Sequence, residues 1–142
     1  RSSGTCEPGW SDDHFVNMGC LYFGTKAMDI HEANEFCGLN NSAHLVEIMT
    51  SDQMDFLIME LQFLEVYTGP RDYWGGGTDF GREGQWYWMN SLLPVEDFVW
   101  GTRQPYEGYD GNYLDFHSGF DYLGSVAVSH SSNKVPICQK PR

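Results

Sequence analysis

Between Tyr73 and Trp100 the chain carries four of its five tryptophans, Trp74, Trp86, Trp88 and Trp100, around the run Gly75-Gly76-Gly77. Each indole removes a large apolar area from water, so a short chain must build its core around them. Trp86 and Trp88 stand two apart and face the same side of a sheet if the segment is a strand. The glycines allow another backbone or a ring to approach closely. The segment reads as a pair of core strands with a tight connection. It is not a phosphate cradle, because no Gly-Lys-Ser/Thr ending follows the glycines.

A length of 142 residues fits one domain, spanning the whole chain, with room for a real core. A hydrophobic content of 41% and many aromatics argue against disorder. The net charge of −12 argues against nucleic acid, whose phosphates require clustered Lys and Arg. It also disfavours an anionic membrane surface, and no apolar run approaches the length of a membrane span. Arg1-Ser2-Ser3-Gly4 carries no leader pattern and reads as a mature start or as a remnant of recombinant expression.

Cys6, Cys20, Cys37 and Cys138 include no Cys-x-x-Cys pair, which favours disulfides over zinc. Four cysteines allow three pairings, and spacing does not choose among them. The close Cys6 and Cys20 suggest a local staple. Cys37 with Cys138 would then tie an early helix to the last strand. Disulfides imply an oxidising compartment, so the expected location is secreted or extracellular. Asn40-Asn41-Ser42 is an N-glycosylation sequon consistent with that location.

In chain order, Cys6 to Phe23 reads as a short hairpin, with Pro8-Gly9 and Asn17-Met18-Gly19 as turns. A helix starts near Asp29, where Asp29 and Glu32 resemble a capping box. Ile30, Ala33 and Cys37 share a face, His31 is expected in solvent, and Gly38 and Asn40 are stop signals. Leu45 to Ile48 reads as a short buried strand. Thr50 or Ser51 caps a second helix, with Gln53 as box partner and Met54, Leu57, Ile58 and Leu61 as a core stripe. Residues 101–111 lack periodicity and form a long surface loop, the usual seat of function. Tyr113 to Phe116, Val126 to Val128 and Val135 to Cys138 read as the last strands.

The order of these features resembles a C-type lectin-like domain in its long, invertebrate-like form. Cys6-Glu7-Pro8-Gly9-Trp10 and Cys20-Leu21-Tyr22-Phe23 resemble its opening hairpin. Ala33, Phe36, Cys37 and Ala43-His44-Leu45-Val46 resemble its first helix and next strand. Tyr73-Trp74-Gly75-Gly76-Gly77 stands where the family has Trp-Ile-Gly-Leu. Trp86-Tyr87-Trp88 and Val135-Pro136-Ile137-Cys138 complete the pattern. The resemblance implies an α+β fold: two helices flanking antiparallel sheets, a long irregular ligand loop, and disulfide staples.

It also implies where a ligand would bind. Family members hold sugars through calcium, which takes about 6–8 oxygen ligands. One motif is Glu-Pro-Asn or Gln-Pro-Asp. Here it reads Gln104-Pro105-Tyr106, with Pro105 as a cis proline in the family and a neutral phenol in place of an amide or carboxylate. The second motif, Trp-Asn-Asp, aligns with Leu123-Gly124-Ser125. The two cysteines that pin this loop are replaced by Tyr113 and about Val128. No cofactor is therefore expected at the primary family site. Gln104, Glu107, Asp110 and Asn112, with Asp115 nearby, remain as oxygen donors for a weak or non-standard calcium site.

The leading functional reading is a secreted glycan-recognition protein of innate-immune type, binding weakly or without the usual calcium. Tyr106, Tyr109 and Trp100 would stack on a sugar, while Gln104, Glu107, Asp110 and Asn112 bond hydroxyls, with Pro105 shaping the loop. The competing reading is a protein-binding module that has lost sugar binding, consistent with a Tyr-rich loop. The partner is thus a glycan, a glycoprotein or another protein. An enzyme is not expected: Ser129-His130-Ser131 lacks the context of a catalytic site.

Overall fold

The computed structural model describes residues 6–12, 16–108 and 111–142, and omits the side chains of Asn40 and Asn41. Tyr109, Asp110, the chain start at 1–5 and the sequon's Asn40 side chain lie outside the described residues. The elements are β1 (Ser11–Asp12), β2 (Cys20–Phe23), α1 (Ile30–Asn41), β3 (His44–Leu45), α2 (Ser51–Thr68), β4 (Tyr73–Thr78), β5 (Tyr87–Trp88), β6 (Tyr113–Phe116), β7 (Gly124–Val126) and β8 (Val135–Lys140). Short 3₁₀ turns fall at Asp97–Val99 and Ser118–Phe120.

The expected capping box closes the start of α1. Asp29 accepts from the Glu32 N–H at 2.8 Å, and Glu32 accepts from the Asp29 N–H at 3.0 Å. Gly38 and Asn40 do not stop the helix. It runs to Asn41, where Ser42 takes the left-handed conformation and caps the Cys37 and Gly38 carbonyls. At α2, Thr50 accepts from the Gln53 N–H, as expected of a cap. The Gln53 amide does not return the bond. Its oxygen accepts from the Met49 N–H at 2.7 Å, and its nitrogen donates to the Val16 carbonyl at 2.9 Å. Met54, Leu57 and Leu61 are buried, while Ile58 is only half-buried.

The sheet order is β1-β2-β8-β4-β6-β7, with β3 also paired to β8 and β5 to β4. All pairs are antiparallel except β4 with β8. The expected strand at 45–48 is only His44–Leu45, and the penultimate strand sits at 124–126, two residues earlier than its hydrophobic pattern suggests. Val46 instead bonds outward on both sides, donating to Ile137 and accepting from Gly76. Both suggested disulfides form, Cys6–Cys20 and Cys37–Cys138, the second across 101 positions of chain.

β4 is buried at every position. Trp74 donates its indole N–H to the Met28 carbonyl at 2.8 Å, tying the sheet to the entry of α1. The glycines next to it are required by close approach. A Cβ on Gly76 would stand 2.9 Å from the Leu45 carbonyl oxygen, and one on Gly75 would stand 2.6 Å from the Phe116 ring. Buried Glu47 holds the far end of β5, accepting from the Asn90 N–H at 2.7 Å and the Ser91 N–H at 3.2 Å.

Gly76→Ala must push backbone rather than a side chain, so it is expected to cost about 1–3 kcal/mol. Gly38→Ala, in the last turn of α1 with its nearest neighbour at 4.0 Å, is expected to leave stability unchanged or raise it by up to about 1 kcal/mol. Urea unfolding midpoints of the two variants check this contrast.

Candidate functional site

β4, β6 and β7 place the loop residues. Leu114 pairs with Val126 and Asp115 with Ser125, so both motif regions converge at one edge of the sheet. Opposite Tyr113 stands Ala127, whose N–H donates to the Tyr113 carbonyl at 3.0 Å. The residue facing Tyr113, in the place of the family's second loop cysteine that the resemblance put at about Val128, is therefore Ala127, and Val128 is exposed.

The Gln104–Pro105 bond is cis. The Gln104 side-chain oxygen is occupied inside the protein. It accepts from the Tyr106 N–H at 3.0 Å and from the Val126 N–H at 3.1 Å, pinning the loop to β7. The Ser125 hydroxyl donates to the buried Asp115 carboxylate. Asp115, 1% exposed, also meets the Lys134 ammonium at 3.0 Å. That ammonium lies 3.7 Å from Asp72, which accepts from the Ser118 N–H at 2.9 Å and faces His117 at 3.6 Å. Burial raises the Asp115 pKa, and Lys134 and Ser125 oppose the rise.

This arrangement does not fit a calcium ion at the primary family position. Gln104 has its carbonyl turned to backbone donors, Ser125 offers a hydroxyl already engaged, and a fixed ammonium supplies the positive charge. The cleft there, lined by Gln104, Asp115, His117, Ser125 and Lys134, is about 80 Å³, too small to bury a sugar ring.

The other ligand candidates differ in exposure. Tyr106 is exposed, with its ring against Gly108, and Glu107 is exposed beside it. Pro105 and Asn112 are half-buried. Trp100 is half-buried, edge-on to Trp86 at 5.1 Å, so it packs on the core rather than standing free in the loop.

A residue not singled out as a ligand from sequence joins this group. Asp79, 4% exposed, accepts from the Gly84 N–H with one oxygen, and its other oxygen is buried without a hydrogen-bond partner among the described atoms. Its N–H and the Thr78 hydroxyl both donate to the Asn112 carbonyl. A Glu107 carboxylate oxygen lies 3.7 Å from the Cβ position of Gly84. Asp79 and Glu107 thus both stand beside the Gly84 turn, and the partnerless Asp79 oxygen is a hard donor of the kind a divalent cation takes. Among the described residues, no group of three or more His, Cys, Asp or Glu side chains converges on one point. The signal available in sequence was Thr78-Asp79 after the core strand, at a place where strand residues pass into a Gly-rich turn.

Lys134→Met leaves Asp115 buried without its cation, so its folded pKa moves further above the ordinary carboxylate value. A raised folded pKa means that stability falls as pH rises from the unfolded value through the folded one. The variant is expected to lose stability more steeply than the parent between about pH 4 and 7, with a total cost of about 3–5 kcal/mol near neutrality. Urea midpoints across that range measure it, and parallel pH profiles would exclude the coupling.

No protein-family model matches the chain. It is 30% identical over 115 residues to human C-type lectin domain family 17 member A, covering 81% of this chain and 28% of that protein. It is 25% identical over 136 residues to Drosophila melanogaster C-type lectin 37Da, covering 89% and 70%. Among solved structures, human lithostathine superposes with a TM-score of 0.82 at 21% identity, covering 97% of this chain and 92% of that one. The cow CD23 carbohydrate-recognition domain, crystallised in the presence of GlcNAc2Man3 oligosaccharide, gives 0.77 at 24% over 97% of both chains. A calcium-independent type II antifreeze protein gives 0.77 at 20%, covering 96% and 95%. The topology, the two disulfides and these relatives agree that the chain is a C-type lectin-like domain.

Proposed function

We propose that the chain is an extracellular glycan-recognition module that binds sugars weakly through the exposed rim of its long loop, without a calcium ion bridging protein and sugar. The observation that carries this reading is the Lys134–Asp115–Ser125 cluster, which puts an ammonium and its counter-charges beside Gln104. Tyr106 would present a ring face to a sugar, and Glu107 and Asn112 would bond hydroxyls around it, with Tyr109 and Asp110 as further candidates. The curated relatives named C-type lectins and the cow domain crystallised with an oligosaccharide support a glycan ligand. The two disulfides support an oxidising, extracellular setting. No helix among the described residues is long and apolar enough to cross a membrane.

A cation has a different place in this reading. Asp79, with one buried oxygen lacking a hydrogen-bond partner among the described atoms, would hold calcium weakly at the turn after β4. The competing reading, a protein-binding module, draws on the exposed Tyr106 of the loop and on the exposed Leu92 and Leu93 after β5.

Glycan-array binding with and without chelator tests the proposal. Binding is expected to persist in chelator and to fall about tenfold or more in Tyr106→Ala. Binding abolished by chelator would overturn it, and no binding to any glycan would favour the protein partner. Separately, millimolar calcium is expected to raise the thermal midpoint of the parent by a few degrees but not that of Asp79→Asn. Equal midpoints with and without calcium in the parent would remove Asp79 as a ligand.

A further inference from the structure

The outer face of α2 carries a second surface, remote in sequence from the loop. Met59 is 62% exposed, Phe63 60%, Val66 78% and Tyr67 73%. At 100° per residue they fall within one stripe on the side of the helix opposite Leu57 and Leu61, which face the core. Phe56, half-buried, lies on the same line. The Phe63 and Tyr67 rings meet edge to face at 5.4 Å, so the stripe presents a continuous aromatic surface. A helix that packs on one side only would carry polar residues here. Contiguous apolar surface of this kind on a soluble domain marks an interaction site.

Charge selects the occupant. Asp55 and Glu60 flank the stripe on its two sides, and Asp52 stands at its N-terminal end. The helix has no Lys or Arg, so nothing offsets these carboxylates along its length. Its C-terminal end adds the negative end of the helix dipole. A second copy would bring two such acidic rims together on chains that each carry −12. An anionic bilayer meets the same repulsion. A partner helix with its own apolar stripe and flanking Lys or Arg satisfies both features at once. We propose that the outer face of α2 docks a cationic amphipathic helix of a protein partner through Met59, Phe63, Val66 and Tyr67, with Asp52, Asp55 and Glu60 as its charged rim.

The probe is a synthetic 18-residue Leu/Lys peptide whose leucines fall on one helical face, compared with a scrambled peptide of the same composition. Titration into the intact chain, followed by tryptophan-independent label anisotropy, is expected to show saturable binding of the helical peptide and at least tenfold weaker binding of the scrambled one. The Phe63→Ser, Val66→Ser double variant is expected to lose at least tenfold in affinity, and Asp52→Asn with Asp55→Asn several-fold, with a shallower salt dependence. All four positions are exposed, so thermal midpoints should stay near the parent's, and the charge pair still reads the surface if the apolar pair misfolds. Equal affinity for the two peptides, or unchanged affinity in both variants, overturns the proposal. So does a peptide-free dimer in sedimentation, or flotation with phosphatidylserine vesicles, that Phe63→Ser abolishes. Glycan-array binding is expected to be the same in all these variants, which keeps this surface separate from the loop.

Discussion

The ammonium of Lys134 against the buried carboxylate of Asp115 is the contact on which the ligand end of this fold depends. Lys134 immediately precedes β8, the strand bonded to β2, β3 and β4, while Asp115 lies on β6 and faces Ser125 on β7. One ion pair therefore joins the centre of the sheet to its edge. A carboxylate this deeply buried is costly unless its charge is met, and burial alone pushes its pKa upward. The second oxygen-rich neighbour, Asp72, brings His117 and the Ser118 turn into the same network. In this architecture a fixed positive charge stands where chemistry at the loop base would otherwise call for a mobile one.

That substitution follows from what the neighbouring residues can donate. With a hydroxyl at 125 and a phenol at 106, the local oxygen count is too low and too weakly charged for a hard cation. Gln104 then gains by accepting two backbone N–H groups, one of them on buried Val126, where a donor left without a partner is costly. The loop is held to β7 by an amide rather than by a metal or a disulfide. Among the described residues, the Asp79 and Glu107 carboxylates lie beside the Gly84 turn instead.

Much of the scaffold was legible in the residues. The Asp29–Glu32 box, the Thr50 cap, the Met54, Leu57 and Leu61 positions of the α2 stripe and the glycines of β4 each obey a local rule, and each formed as that rule requires. Where local and tertiary demands diverged, the tertiary demand prevailed. α1 passes Gly38 and ends one residue beyond Asn40, because left-handed Ser42 donates its N–H to the Cys37 and Gly38 carbonyls. Val126 to Val128 looked like a strand by hydrophobicity, but pairing with β6 fixes it two residues earlier and leaves Val128 outside. The site was less legible for a physical reason. Residue type indicates what Gln104 or Ser125 could ligate, but not that backbone donors and Asp115 reach them first. Asp79 was hidden for the converse reason: a Thr-Asp pair after a strand is ordinary in sequence, and only burial of an oxygen without a partner distinguishes it.

The same reasoning separates the two surfaces of the molecule. On the loop side, Gln104 is turned to backbone donors, and what faces water includes the Arg103 guanidinium, the Tyr106 phenol and the Glu107 carboxylate, groups suited to shallow contact with hydroxyls. On α2, the polar groups that a solvent-facing helix would carry have been displaced to the margins, leaving large apolar side chains exposed. Exposed phenylalanine and tyrosine in contact with each other gain nothing from water, so this face is stabilised by whatever covers it. A sugar is too hydrophilic to do so, and the acidic rim disfavours a like-charged surface. The chemistry that the loop can offer a hydroxylated ligand and the chemistry that α2 can offer a cationic apolar one do not overlap, so occupation of one surface need not compete with the other.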